Sequence, residues 1–264
     1  MDLGINGKRA LVTGSSSGIG EGIARMLVRE GCFVVVHGRD RARTEAVAAA
    51  IGAGAYAVGD LATDAGADAV AEVAGEIDIL VNNAGGAKVT MQTPWLEVTP
   101  ADWLETFQAN TMSAVRMIHR LLPGMKERRW GRIINMLSTA ATQPIAYGPD
   151  YGAAKAGLSN LNVSLAKALE NCGVTVNGIS PGTIMTPGVA EWRDGIIAAR
   201  GWGDLPLAEA EARIMDDLNI PIPMKRFGHV DDIAHAVCML AAEGAGYITG
   251  ANYRVDAGQI QHLN

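Results

Sequence analysis

Cysteine is scarce in this sequence, and the three that occur, Cys32, Cys172 and Cys238, stand far apart. They form no Cys-x-x-Cys pair, so neither a zinc site nor a disulfide framework can be read from them. Isolated thiols fit a reducing compartment. The five histidines, His37, His119, His229, His235 and His262, show no His-x-x-x-His spacing and no clustering with cysteine, so no metal site is expected. No apolar run approaches the length of a membrane-spanning helix, and no membrane association is expected. The first residues, Met1-Asp2-Leu3-Gly4, lack the basic segment and apolar stretch of a secretory signal. A soluble, cytoplasmic chain is expected. Positive charge is in deficit: 22 Lys and Arg against 28 Asp and Glu give a net charge of −6. Nonspecific nucleic-acid binding wants the opposite balance. Repeats, low-complexity stretches and interdomain linkers are also missing.

What remains is 264 residues with 48% apolar and 19% charged side chains, enough for one α/β domain spanning residues 1–264 with a substantial core. Short apolar runs near 8–13, 33–37, 55–58, 77–82, 130–137, 174–179 and 252–256 read as strands. Helical patterns near 19–30, 40–51, 66–75, 101–126, 151–171 and 230–242 alternate with them. Alternation of this kind predicts a doubly wound parallel sheet of about seven strands, with helices on both faces. Residues 183–228 break the pattern and are punctuated by proline. A stretch this long beyond the carboxyl end of a strand suits a lid over a ligand.

Two local patterns carry chemistry. Strand residues Lys8 to Thr13 run into Gly14-Ser15-Ser16-Ser17-Gly18-Ile19-Gly20, and an amphipathic helix follows. Gly14 permits the tight turn, Gly18 lets the backbone approach a pyrophosphate, and Gly20 lets helix and strand pack closely. The helix N-terminus presents free N–H groups to phosphate. This is a Rossmann-type dinucleotide turn in its βαβ context. Further along, Tyr151 and Lys155 are one helical turn apart and share a helix face. A nearby cation favours a phenolate. Bringing a phenol from about 10 to about 7 requires roughly 4 kcal/mol, so a second positive centre would help. The pair suits proton exchange with an alcohol oxygen.

Thr13-Gly-x-x-x-Gly18-x-Gly20, Asn82-Asn83-Ala84-Gly85, Asn110, Ser138, Tyr151-x-x-x-Lys155 and Pro181-Gly182 occur in the order and spacing of the short-chain dehydrogenase/reductase family. The resemblance covers about Gly7 to Gly258. It implies a single Rossmann-fold domain and an NAD(P)-dependent oxidoreductase acting on CH–OH or C=O groups. It also implies that Asn110, Ser138, Tyr151 and Lys155 are catalytic. Ser138 and Tyr151 would hold the substrate oxygen, and Tyr151 would give it a proton. Lys155 would lower the tyrosine pKa and hold the nicotinamide ribose, and Asn110 would hold a water linking Lys155 to solvent. Gly14, Ser16, Ser17, Gly18, Ile19 and Gly20 would form the phosphate turn. Asp60 and Leu61 would contact adenine, and Asn83, Ala84 and Gly85 would line the adenosine side. Pro181, Gly182, Ile184 and Thr186 would receive the nicotinamide. Gly38 occupies the family's usual acidic position and Arg39 follows it. An arginine can bind a 2′-phosphate through paired hydrogen bonds. NADP(H) is therefore favoured, with NAD(H) left open. Ser17 stands where many NADP-preferring relatives carry Lys or Arg.

The expected substrate is a small ketone or secondary alcohol, apolar, aromatic or CoA-linked. Its wall would be Ser138, Ala140, Tyr147, Tyr151, Met185 and Trp192, with Trp202, Met91 and Trp95 as further candidates. A 3-oxoacyl-[acyl-carrier-protein] reductase is an alternative, kept alive by Arg128 and Arg129. Against it, Cys172 stands where such reductases commonly have arginine. A nucleotide-binding scaffold without turnover is an alternative of another class. The resemblance implies a homotetramer or a dimer, built on the helices at 101–126 and 151–171.

Overall fold

The computed structural model describes residues 2–86, 93–144 and 146–261. Seven strands form one sheet in the order β3-β2-β1-β4-β5-β6-β7, and every neighbouring pair is parallel. They are β1 (Arg9–Val12), β2 (Phe33–Gly38), β3 (Ala55–Val58), β4 (Ile79–Asn82), β5 (Gly131–Met136), β6 (Val174–Pro181) and β7 (Asn252–Val255). Each falls on an expected strand. The helices are α1 (Gly18–Arg29), α2 (Arg41–Ile51), α3 (Asp64–Ala74), α4 (Pro100–Phe107), α5 (Ser113–Glu127), α6 (Pro149–Ala168), α7 (Pro187–Arg200), α8 (Leu207–Asp217) and α9 (Val230–Ala241).

Strand side chains alternate between faces, and the two faces carry separate apolar layers. Val12, Val34, Val36 and Val81 pack with Ile23 and Leu27 of α1 and with Ile233 and Val237 of α9. Leu11, Val35, Leu80 and Ile133 pack with Val70 of α3 and with Met117 and Leu121 of α5. Strands buried on both faces explain why the runs read as continuous Val, Ile and Leu. The strand order reverses between β1 and β4, and ligands of open α/β sheets bind at such a switch point.

Two features differ from the expected elements. The helix expected over 101–126 is interrupted by a π turn at Gln108–Met112, between α4 and α5. Residues 183–228 hold α7 and α8, where the sequence indicated only a break. Helix α7 has no buried residue, so it shows little apolar period, yet it starts on Pro187 with Thr186 as N-cap. Met185, Ile196, Ile197 and Trp202 gather around Ile214, Met215, Ile222 and Phe227 in a cluster separate from the two sheet layers. Among the described residues, no helix is long and apolar enough to cross a membrane.

Candidate active site

Two adjoining cavities lie beyond the carboxyl ends of β1, β2, β4 and β5. The larger, about 620 Å³, is lined by the glycine-rich turn, Asn83 and Gly85, Ser138, Tyr151 and Lys155, and by Pro181, Gly182 and Thr186. The smaller, about 280 Å³, is lined by Ser16, His37, Gly38, Arg39, Asp60, Leu61 and Ala84. Gly14, Ser17, Arg43, Gly85 and Gly86 belong to both.

The glycine-rich turn is held open by its neighbours. Gly14 has φ +65°, and a Cβ there would come within 2.9 Å of the Ala84 Cα. The Gly14 N–H donates to Nδ1 of His37 at 2.9 Å, while Nε2 of that ring lies 3.0 Å from the Gly59 carbonyl. The ring must therefore carry its proton on Nε2, and burial pushes its pKa down. Thr13 ties the turn to the loop after β4 by accepting the Asn83 and Ala84 N–H groups at 2.9 Å. Ser17, the N-cap of α1, makes no side-chain cap, so the first N–H groups of α1 remain for an anion. The end of β2 has no room for a carboxylate. A Cβ on Gly38 would meet the Ser16 hydroxyl oxygen at 2.6 Å and collide with that of Thr44. The carboxylate of Asp40 is turned away to accept the Arg43 N–H at 2.8 Å. These are the features of a dinucleotide cradle, and the donor set fits one.

Around the catalytic candidates, Lys155 is buried and its Nζ donates to the Met136 carbonyl at 2.8 Å. Desolvation pulls its pKa down to about 8. The same desolvation pushes the Tyr151 phenol up, and the Ser138 hydroxyl beside it pulls the phenol back. A tyrosine lowered by Lys155 was the expectation. In the structure burial dominates, and Nζ lies 5.7 Å from the Tyr151 ring centre. Asn110 is buried in the π turn behind the cavities. Its Nδ2 donates to the Thr106 carbonyl at 2.9 Å and the Gly86 carbonyl at 3.1 Å, and its Oδ1 accepts the Gly86 N–H at 3.0 Å.

Several expected residues lie elsewhere. Ile184 faces a third cavity of about 210 Å³ and is bridged to Gly228. Ala140, Tyr147, Met185 and Trp192 do not line the larger cavity. Met185 is drawn into the α7–α8 cluster, and Trp192 stacks edge-on against Phe227 at 6.1 Å. Ala140 sits in the turn after Ser138, its carbonyl against Gly152, and Tyr147 is exposed. Trp202 belongs to the same cluster as Met185, and exposed Trp95 meets Trp103 edge-to-face. Met91 and His262 lie outside the described residues. Arg43 was not singled out from the sequence. It lies in the first turn of α2, and only the folding of β2 and α2 brings it beside Arg39 at the smaller cavity.

Fold and cavity together define a dinucleotide-binding oxidoreductase. Residues 8–196 match the family model for short chain dehydrogenase. The chain is 33% identical to an uncharacterized oxidoreductase of Bacillus subtilis, YvaG, over the full length of both. It is 34% identical to the 3-oxoacyl-[acyl-carrier-protein] reductase FabG of Pseudomonas aeruginosa, covering 97% of this chain and 98% of that one. Among solved structures it resembles L-sorbose reductase from Gluconobacter frateurii, complexed with NADPH and L-sorbose. That match has a TM-score of 0.91 and 34% identity, with both chains fully covered. The chain belongs to the short-chain dehydrogenase/reductase family, whose members use NAD(P). It is an NAD(P)-dependent oxidoreductase.

Proposed function

We propose that this protein reduces a small ketone, free or CoA-linked, to a secondary alcohol with NADPH, and catalyses the reverse oxidation. The observation that carries the reading is the convergence of Ser138, Tyr151 and Lys155 on one cavity that continues past Arg43 to Arg39. The nicotinamide, when bound, supplies the hydride. Ser138 and Tyr151 hold the carbonyl oxygen, and Tyr151, kept neutral by burial, gives it the proton as the alcohol forms. Lys155 is a buried cation placed to hold the ribose and to stabilise the phenolate left behind. Asn110 holds Gly86, and with it the loop lining both cavities. Thr186 lines the cavity at the nicotinamide end, beside Pro181 and Gly182. Arg39 and Arg43 take the 2′-phosphate, which supports NADP(H) over NAD(H) despite Ser17.

Residues 183–228 serve as the substrate lid of the single 1–264 domain, with Met185 and Trp192 closing toward the ketone. Support comes from the lid's separate apolar cluster and from the Arg193–Glu211 ion pair at 3.0 Å that joins α7 to α8. A second reading, reduction of a 3-oxoacyl group on a carrier protein, is favoured by the FabG likeness. It is weakened because Arg128 donates to the Ile77 carbonyl at 2.7 Å and Arg129 to the Asn171 carbonyl at 2.9 Å. The L-sorbose reductase likeness puts polyhydroxy ketones first among substrates to try. The protein acts in the cytoplasm as a homotetramer or dimer, associating through α5 and α6. Between these helices Ile118, Leu161 and Leu165 line an open apolar groove.

Tyr151→Phe tests the reading. Nucleotide binding should be kept and turnover should fall by at least about a hundredfold, the scale of a lost general acid. Near-normal turnover would remove Tyr151 from the chemistry.

A further inference from the structure

Asp150 directly precedes Tyr151 and has no solvent exposure, yet the chemistry above does not use it. Burying a carboxyl group is costly unless its oxygens are hydrogen-bonded. Oδ2 accepts the Thr106 hydroxyl at 2.5 Å, and among the described residues Oδ1 has no partner. A group retained at that cost calls for an explanation.

The Thr106 bond leads somewhere. Thr106 is itself buried in α4, and its carbonyl accepts Nδ2 of Asn110 at 2.9 Å. Asn110 in turn holds the Gly86 N–H and carbonyl, and Gly86 lines both cavities. A continuous line of hydrogen bonds therefore runs from the residue beside the tyrosine to the loop of the nucleotide cradle. A second tie runs parallel to it: the Thr111 hydroxyl in the π turn donates to the Ala154 carbonyl at 2.8 Å. The two ties grip α6 at the residues just before Tyr151 and just before Lys155. The N-cap of α6 is Gly148 in the left-handed conformation, which offers no side-chain cap. The first turn of α6 thus depends on tertiary partners to hold its place.

We propose that Asp150, acting through Thr106, is a positioning residue that sets Tyr151 against Ser138 and couples the tyrosine to the Asn110–Gly86 loop. The inference rests on the reading of Tyr151 as the proton donor. What matters is the acceptor oxygen facing Thr106, not the negative charge. Catalytic distances are tight, and a displacement of about 1 Å can cost up to a hundredfold in rate.

The test compares Asp150→Ala, Asp150→Asn, Thr106→Val and Thr106→Ser in the full-length protein. The first readout needs no substrate: ionisation of the Tyr151 phenol, followed as the absorbance difference between each protein and its own Tyr151→Phe derivative. Burial pushes the phenol's pKa up and Ser138 pulls it back, so displacing Tyr151 from this setting should move the ionisation away from its wild-type position. Asp150→Ala and Thr106→Val should both show the same displacement of the ionisation, and Asp150→Asn and Thr106→Ser should not. The second readout is kcat with NADPH and L-sorbose, or acetoacetyl-CoA where that is the faster substrate. It should fall about tenfold in Asp150→Ala and in Thr106→Val, with no further loss in the double variant. Thr106→Ser should restore it, and NADPH affinity should change less than kcat.

An unshifted phenol in Asp150→Ala and Thr106→Val would overturn the proposal. So would additive losses in the double variant, or an Asp150→Asn protein as impaired as Asp150→Ala. If Asp150→Ala fails to fold, the Thr106 pair decides by the same two readouts. Failure of the underlying reading is separate and visible: Tyr151→Phe would then turn over normally whatever Asp150 does.

Discussion

Lys155 is an ammonium taken out of water with a backbone carbonyl as its partner, and among the described residues it forms no ion pair with a carboxylate. Burial lowers its pKa to about 8, against 10.5 ordinarily. The unfolded chain therefore binds more protons between those values, and stability rises with pH through that window. The cost of burying the charge is complete below about pH 8 and fades toward 10.5. Lys155→Met should be the more stable protein at neutral pH, with the advantage shrinking from pH 8 to 10.5 in thermal melts. A pH-independent difference would contradict the assignment. Arg39→Ala and Arg43→Ala should each weaken NADPH binding roughly tenfold or more, the cost of a charge-assisted hydrogen bond. NADH binding should be nearly unchanged, and titration calorimetry separates the two nucleotides. Equal losses for both nucleotides would mean that neither arginine reads the 2′-phosphate. Most residues at this scale were legible, because glycine turns and the Tyr151–Lys155 spacing are local in sequence. Arg43 and His37 were not, since what brings them to the cavity is the return of the chain through β2 and α2.

The strands and the helices that alternate with them were legible, and the elements that break this alternation were not. The central strands β1, β2 and β4 could be placed because burial on both faces makes them nearly unbroken aliphatic runs, whereas β7 at the sheet edge, Asn-Tyr-Arg-Val, is only half-buried and owed its placement to the resemblance. The π turn was hidden, since Asn110 reads simply as a poor helix residue until its amide is seen bonding the Thr106 and Gly86 carbonyls. Helices α7 and α8 were hidden for the opposite reason. They pack chiefly on each other, so their apolar residues answer to a small local cluster and not to the sheet. That unit is held at its ends where the Met185 N–H donates to the Gly228 carbonyl at 2.8 Å and the Gly228 N–H to the Thr183 carbonyl at 2.9 Å. Its internal brace is the Arg193–Glu211 pair, in which both side chains are mostly buried. Arg193→Met should disturb the lid and leave the cradle alone. The expected result is a ketone KM raised roughly tenfold, equivalent to about 1.4 kcal/mol, with NADPH affinity unchanged. An unchanged KM would show that the brace does not reach the substrate.

At the scale of the molecule, one doubly wound sheet places the glycine-rich turn, Pro181–Gly182 and the group Ser138, Tyr151 and Lys155 along a single edge. The strand reversal between β1 and β4 opens the crevice, and β5 and β6 deliver Ser138 and Pro181 to its far side. Association through the groove between α5 and α6 would leave that edge open to substrate. Light scattering after gel filtration should therefore give a closed dimer or tetramer, and a monomer would contradict it. The substrate is the part least legible in either sequence or structure, because the apolar residues expected to recognise it stand outside the cavity wall. The most direct test of the central claim is nicotinamide absorbance during incubation with L-sorbose, simple ketones and 3-oxoacyl thioesters, run in parallel with NADPH and NADH. The account predicts ketone-dependent consumption with NADPH preferred. Nucleotide binding without consumption on any of these ketones would contradict it, and consumption preferring NADH would contradict the role given to Arg39 and Arg43.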